Sequence, residues 1–124
     1  MYIAVDFDGT CVTHEYPEVG KNIGAESVLK KLIEKGHKII LYTMRSGQEL
    51  LDAQKWFEDN DIELYASNTN PTQKFWTKSP KVYAHVYIDD AALGCPLHMN
   101  EAVSQRPFVD WSKVHEWLIN QGAL

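Results

Sequence analysis

Met1-Tyr2-Ile3-Ala4-Val5-Asp6-Phe7-Asp8-Gly9-Thr10 opens the chain and sets the terms for everything after it. The first five residues are a short apolar run of the kind that forms a strand buried on both faces. Two carboxylates spaced i, i+2 follow at once, and Gly9-Thr10 then turns the chain. Carboxylates crowded at the end of a buried strand repel one another and lose solvation, so without a partner they neutralise. A hard cation such as Mg²⁺, which takes oxygen ligands and keeps some of its water, relieves both problems. In open α/β sheets, ligands bind outside the carboxyl ends of the strands. The pentad Asp6–Thr10 therefore reads as an active site rather than a surface charge pair.

The pattern downstream alternates strand and helix. Residues 11–23 carry Pro17, Gly20 and Asn22 and read as a loop or small flap. A helix is expected from Ala25 to Lys35, with Val28, Leu29, Leu32 and Ile33 on one face and Gly36 as its stop. Strands are expected at Lys38–Thr43, Ile62–Ala66 and Ala84–Ile88, with a fifth, short one at Pro107–Val109. A second helix fills Gly47–Asn60. Residues 67–80 are polar, broken by Pro71 and Pro80, and read as loop with at most one helical turn. Asp110 or Ser112 caps a last helix bearing Val114, Trp117, Leu118 and Ile119. This alternation predicts an α/β fold, a Rossmann-like three-layer α/β/α sandwich whose mostly parallel sheet is covered on both faces.

Bulk properties bound the answer. A chain of 124 residues, 44% hydrophobic and 23% charged, is expected to be one soluble globular domain over 1–124. The net charge of −5 argues against a nucleic-acid partner. No stretch approaches the ~20 apolar residues of a membrane span. The N-terminus lacks a signal-peptide pattern, and Cys11 and Cys95 suit two free thiols in a reducing cytoplasm. The five histidines show no paired ligand spacing, which argues against zinc. Phe75-Trp76 is expected to pack under its loop, the alternative being a substrate-facing patch.

Three predicted parallel strands end in polar groups: Asp6/Asp8, Thr43 and Asp89/Asp90. Parallel strands share one carboxyl edge, so these groups should meet. Lys81, upstream of the fourth strand, could reach the same edge, with Lys78 and Lys74 as competitors. Arg45, just past Thr43, could touch substrate or pair with a carboxylate.

In this set the chain resembles the haloacid dehalogenase superfamily of phosphohydrolases over residues 1 to about 94. Asp6-Phe7-Asp8-Gly9-Thr10 matches its first motif, Thr43 its second, Lys81 its basic third and Asp89-Asp90 its acidic fourth. The resemblance implies a Mg²⁺-dependent phosphatase acting on a phosphate monoester. Asp6 would be the nucleophile and Asp8 the general acid and base. Thr43 would donate to a phosphoryl oxygen and Lys81 would offset negative charge. The metal would be held by Asp6, the Asp8 backbone carbonyl and Asp89, with Asp90 as second ligand or outer shell. Gly9, Thr10, Thr43, Arg45 and Lys81 form the expected substrate-binding set.

The gaps from Cys11 to Lys38 and from Met44 to Pro80 leave no room for the ~60-residue cap domain that many members carry. A capless site suits a small phosphorylated substrate if an oligomer forms the lid, or a larger one if it stays open. The flap and the 67–80 loop are the local candidates for specificity. Two rivals stand beside this reading. One is a phospho-accepting receiver-type module, whose motifs run in a different chain order. The other is a scaffold that binds a phosphorylated ligand without hydrolysing it.

Overall fold

The computed structural model describes residues 1–124. Its centre is a four-stranded parallel sheet ordered β3-β2-β1-β4, from β1 (Tyr2–Val5), β2 (Lys38–Leu41), β3 (Leu64–Ser67) and β4 (Val86–Ile88). Helices α1 (Ala25–Glu34) and α2 (Gly47–Asp59) connect β1 to β2 and β2 to β3. A two-stranded antiparallel hairpin of β5 (Leu97–His98) and β6 (Phe108–Val109) follows, and α3 (Trp111–Asn120) ends the chain. This is an α/β, Rossmann-like sandwich with no cap domain. No helix is long and apolar enough to cross a membrane.

Strand periodicity divides the core. Ile3, Val5 and Phe7 point to one face with Ile39 and Leu41, and all join the main core cluster. The apolar faces of α1 (Val28, Leu29, Leu32), α2 (Ala53, Trp56, Phe57) and α3 (Val114, Leu118) complete that cluster. Each fully buried Ile, Leu or Phe there contributes about 1.5–3 kcal/mol. Ala4 and Ile40 lie in the opposite rows, are equally buried, and stand outside the cluster.

The other face is explained by topology. The connections β1-α1-β2 and β2-α2-β3 step the same way across the sheet, so right-handed crossovers put both helices on one side. The β3–β4 connection steps back over β2 and β1, so it crosses the opposite side. That segment holds one 3₁₀ turn, Gln73–Phe75, and is fastened by polar side chains. The Gln73 amide donates to the Ser79 and Lys81 carbonyls and accepts from the Tyr83 N–H, while Asn70 donates to the Tyr83 carbonyl. Val82 is its buried apolar residue.

Several boundaries differ from the sequence reading. Ile62 is not a strand residue: its N–H bonds the Phe57 carbonyl, Asp61 adopts φ 57°, and its buried side chain seals the end of α2. Ala84 donates to the Tyr87 hydroxyl, so β4 begins at Val86. Residues 108–109 pair with β5 in the hairpin, not with the main sheet. Phe75 and Trp76 are mostly exposed instead of packed under their loop, with Trp76 leaning edge-on against Tyr83. Gly36 stops α1 as expected, at φ 88°, and the Asp110 side chain caps α3 through the Lys113 N–H.

Candidate functional site

The strand order places β4 beside β1 on the side away from β2, where the strand order reverses and ligand crevices open. The Asp6 N–H bonds the Ile88 carbonyl at 3.0 Å, which brings Asp6 level with Asp89. Carboxylate oxygens of Asp6, Asp89 and Asp90 lie within 4.8 Å of one another. They floor an open cleft of about 470 Å³ that Asp8, Thr43, Arg45, His14, Tyr16 and Arg106 also line.

The electrostatics of this floor are unbalanced. Burial first, then the Asp89 charge and the nearby Asp90, push the Asp6 carboxyl up to about 8. No lysine or arginine pairs with the Asp6, Asp89 and Asp90 group, and only His14 meets it, Nε2 to Asp90 Oδ2 at 3.0 Å. An all-oxygen donor set with uncompensated negative charge fits a hard divalent cation and fits zinc poorly.

Two fixtures hold the carboxylates. Thr10 is fully buried beneath them. Its hydroxyl lies 3.1 Å from both Asp6 Oδ2 and Asp90 Oδ1, and it accepts the Asp90 N–H at 3.0 Å. One hydroxyl proton serves one carboxylate at a time. The C-terminal segment clamps this turn from outside: Val109 N–H bonds the Gly9 carbonyl, and Trp111 Nε1 bonds the Thr10 carbonyl at 2.6 Å.

Asp8 has a different fixture. Both its oxygens accept from Arg45, Nε and Nη2, at 2.8 Å. The other Arg45 hydrogens go to the carbonyls of Pro17, Glu18 and Glu49. All five guanidinium donors are thereby used, and the group lies between the rings of Phe7 and Tyr16. Because Pro17 and Glu18 belong to the flap, Arg45 ties residues 11–23 over the cleft, and the flap presents His14 and Tyr16 to it.

The substrate-binding expectations are revised accordingly. Arg45 takes the carboxylate-pairing alternative and has no donor left for a ligand. Thr10 is sealed under the carboxylates. Gly9 is buried and serves packing: at φ 77°, a Cβ there would lie 2.0 Å from His14 Nε2. Lys81 does not line the cleft; its ammonium sits over the Tyr87 ring. Lys74 and Lys78 border a separate pocket on the 68–82 segment, so that loop does not reach the carboxylates either. Thr43 does line the cleft, with its hydroxyl accepting the Arg45 N–H at 3.1 Å. Cys11 is fully buried with its Sγ on the Asp6 carbonyl, and burial pushes its thiol well above the usual value, which protects it from oxidation.

His14, Tyr16 and Arg106 escaped the sequence reading. Each reaches the cleft from a loop or a hairpin end, and no apolar periodicity marks such positions. Gly9→Ala is expected to cost about 1–3 kcal/mol, combining backbone strain with displacement of His14. Chemical denaturation would measure it; an unchanged midpoint would mean that neither the backbone strain nor the His14 contact costs stability.

Neither protein-family profiles nor curated proteins give a match to the sequence. A solved structure of a conserved protein from Bacteroides thetaiotaomicron superimposes with a TM-score of 0.79, at 34% identity, over 98% of this chain and 91% of the other. At that identity and coverage, the chain belongs to the same family as this conserved Bacteroides thetaiotaomicron protein.

Proposed function

We propose that this chain is a Mg²⁺-dependent phosphohydrolase of the haloacid dehalogenase type, hydrolysing a phosphate monoester through an aspartyl-phosphate on Asp6. One observation carries the reading: Asp6, Asp89 and Asp90 converge at the β1/β4 edge with no cation of the protein to balance them. Asp6, Asp89, Asp90 and the Asp8 carbonyl would hold the metal. When bound, it supplies charge neutralisation and orientation for a phosphoryl group.

The chain's own groups perform the rest. An Asp6 oxygen attacks phosphorus and forms the acyl phosphate as the ester O–P bond breaks. Asp8 gives a proton to the departing alkoxide. It then takes one from the water that attacks phosphorus, and the Asp6–phosphorus bond breaks to release inorganic phosphate. The Arg45 fork fixes the orientation of the Asp8 carboxyl for both transfers. The Thr43 hydroxyl is the candidate donor to a phosphoryl oxygen. Phosphoryl transfer depends chiefly on such positioning and charge balance.

The same fork supports a second reading. Arg45 occupies an acceptor position on both Asp8 oxygens. If it holds them throughout, Asp8 exchanges protons slowly and the protein behaves as a phospho-accepting or phospholigand-binding regulatory module with little turnover. A screen of phosphorylated metabolites with and without Mg²⁺ decides the matter. Turnover that requires the cation is expected. Absence of turnover together with a long-lived phospho-Asp6, or with retained phosphate binding, would transfer the assignment to the second reading, and absence of turnover, phospho-Asp6 and phosphate binding would sink the two together.

A further inference from the structure

We propose that Arg106 is the cation that takes the phosphoryl oxygens of the ligand in this cleft, a role that the upstream lysines do not fill. The proposal rests on the phosphoryl chemistry inferred above but concerns a residue outside the four matched motifs.

Charge balance creates the need. Four carboxylates line the cleft, Asp6, Asp8, Asp89 and Asp90. With Asp8 protonated as the general acid, the other three only balance a divalent cation plus Arg45. The charge of an entering phosphoryl dianion therefore stays uncompensated unless another cation joins it. Arg45 cannot serve, because its five donors end on protein oxygens. Lys81 lies on Tyr87 outside the cleft. Arg106 lines the cleft, is exposed, and its guanidinium makes no ion pair or hydrogen bond.

The backbone around Arg106 is built to hold it there. Its N–H bonds the Ser104 hydroxyl, and Ser104 is itself buried. Pro107 follows and restricts Arg106 to extended conformations. Phe108 and Val109 are then buried, and Val109 is bonded to Gly9 of the first motif. From the other side, the Lys21 ammonium bonds the Val103 carbonyl, tying the flap to the same loop. A pinned backbone that carries a free guanidinium toward a cleft suits fork-like recognition of phosphoryl oxygens.

Inorganic phosphate titrated calorimetrically into the Mg²⁺-supplied full chain tests this, with Arg106→Ala, Arg106→Lys and Lys81→Ala beside the wild type. Thermal melts verify that the variants fold. Arg106→Ala should weaken phosphate binding about 10- to 100-fold, the scale of a charge-assisted pair. Arg106→Lys should recover part of it, and Lys81→Ala should stay within about twofold of wild type. Unchanged binding by Arg106→Ala, an equal loss in Lys81→Ala, or no phosphate binding by the wild type at millimolar concentration would each overturn the assignment. Turnover is scored separately. Phosphate binding that depends on Arg106 in a protein without turnover would keep Arg106 and reject the hydrolase. Turnover with Arg106-independent binding would do the reverse.

Discussion

Arg45→Ala is expected to destabilise the protein by about 3–5 kcal/mol, because removing one partner of a buried pair leaves the other charge uncompensated. The Arg45 side chain is 1% exposed and that of Asp8 19%, so water replaces the guanidinium poorly on the protein side. The loss extends beyond the pair. The carbonyls of Pro17, Glu18 and Glu49 lose their donors, and the rings of Phe7 and Tyr16 lose the plane between them. Arg45→Lys should rescue little, since an ammonium has three donors and no fork. Urea titration followed by tryptophan fluorescence would give the number. The signature distinguishing a flap tether from an ordinary ion pair is local: amides of residues 13–21 should lose hydrogen-exchange protection before the sheet does. A loss below about 1 kcal/mol, the scale of a surface pair, would show that solvent reaches Asp8 freely.

What the sequence disclosed follows from how local each signal is. Met1–Val5 and Lys38–Leu41 are apolar runs bounded by charge, and strands buried on both faces need no more than that. Asp6 and Asp89 then had to meet, because strands β1 and β4 run parallel and both acids sit at the same ends. Ile62 misled because an apolar residue just past a helix can cap it as well as begin a strand, and only the positive φ of Asp61 tells the two apart. Lys81 misled for a related reason. Its place in the chain order matched, yet a lysine side chain goes where its loop sends it, and the Gln73 amide network fixes that loop on the far face of the sheet.

Arg106 and His14 were illegible for the opposite reason. Arg106 lies far from the first motif in sequence, and His14, though only four positions past Thr10, carries no local signal that it turns back to the carboxylates. His14 is placed by the flap, and the flap is placed by Arg45, a residue more than twenty-five positions away from the Pro17 and Glu18 carbonyls it holds. Arg106 is placed by a hairpin whose last strand bonds Gly9 about a hundred positions earlier. The motif residues stand at strand ends, where geometry is set by the sheet. The residues that surround a ligand stand on segments whose positions are set by tertiary hydrogen bonds. A site of this kind is therefore half readable: the carboxylates at the strand ends are visible in sequence, and the side chains that line the rest of the cleft are not.

Asp6→Asn should move activity and stability in opposite directions, and this is the sharpest consequence of the crowded floor. Without its nucleophile the enzyme proposed here should lose at least ~10³-fold in kcat, the scale seen when a covalent catalyst is removed. Stability runs the other way in the metal-free protein. The Asp6 carboxyl is raised from 3.8 to about 8 in the folded state, chiefly by burial and by the Asp89 charge. Between those values the folded chain binds the extra proton, so the unfolding free energy contributed by this group is full below pH 4 and falls as pH rises to about 8. The amide of Asn carries no charge at any pH and escapes that penalty. In EDTA at pH 8.5, taken about half a unit above the folded value, Asp6→Asn should be more stable than wild type by about 2–4 kcal/mol, and the gap should narrow toward pH 5. Mg²⁺ should stabilise the wild type more than the variant and close the gap from the other side, because the cation binds the folded carboxylates and not the unfolded chain. Melting curves at two pH values with and without Mg²⁺ give all four terms. If Asp6→Asn is no more stable than wild type at pH 8.5 without metal, Asp6 is not strained by its neighbours. If Mg²⁺ raises both proteins equally, Asp6 does not help to hold the cation.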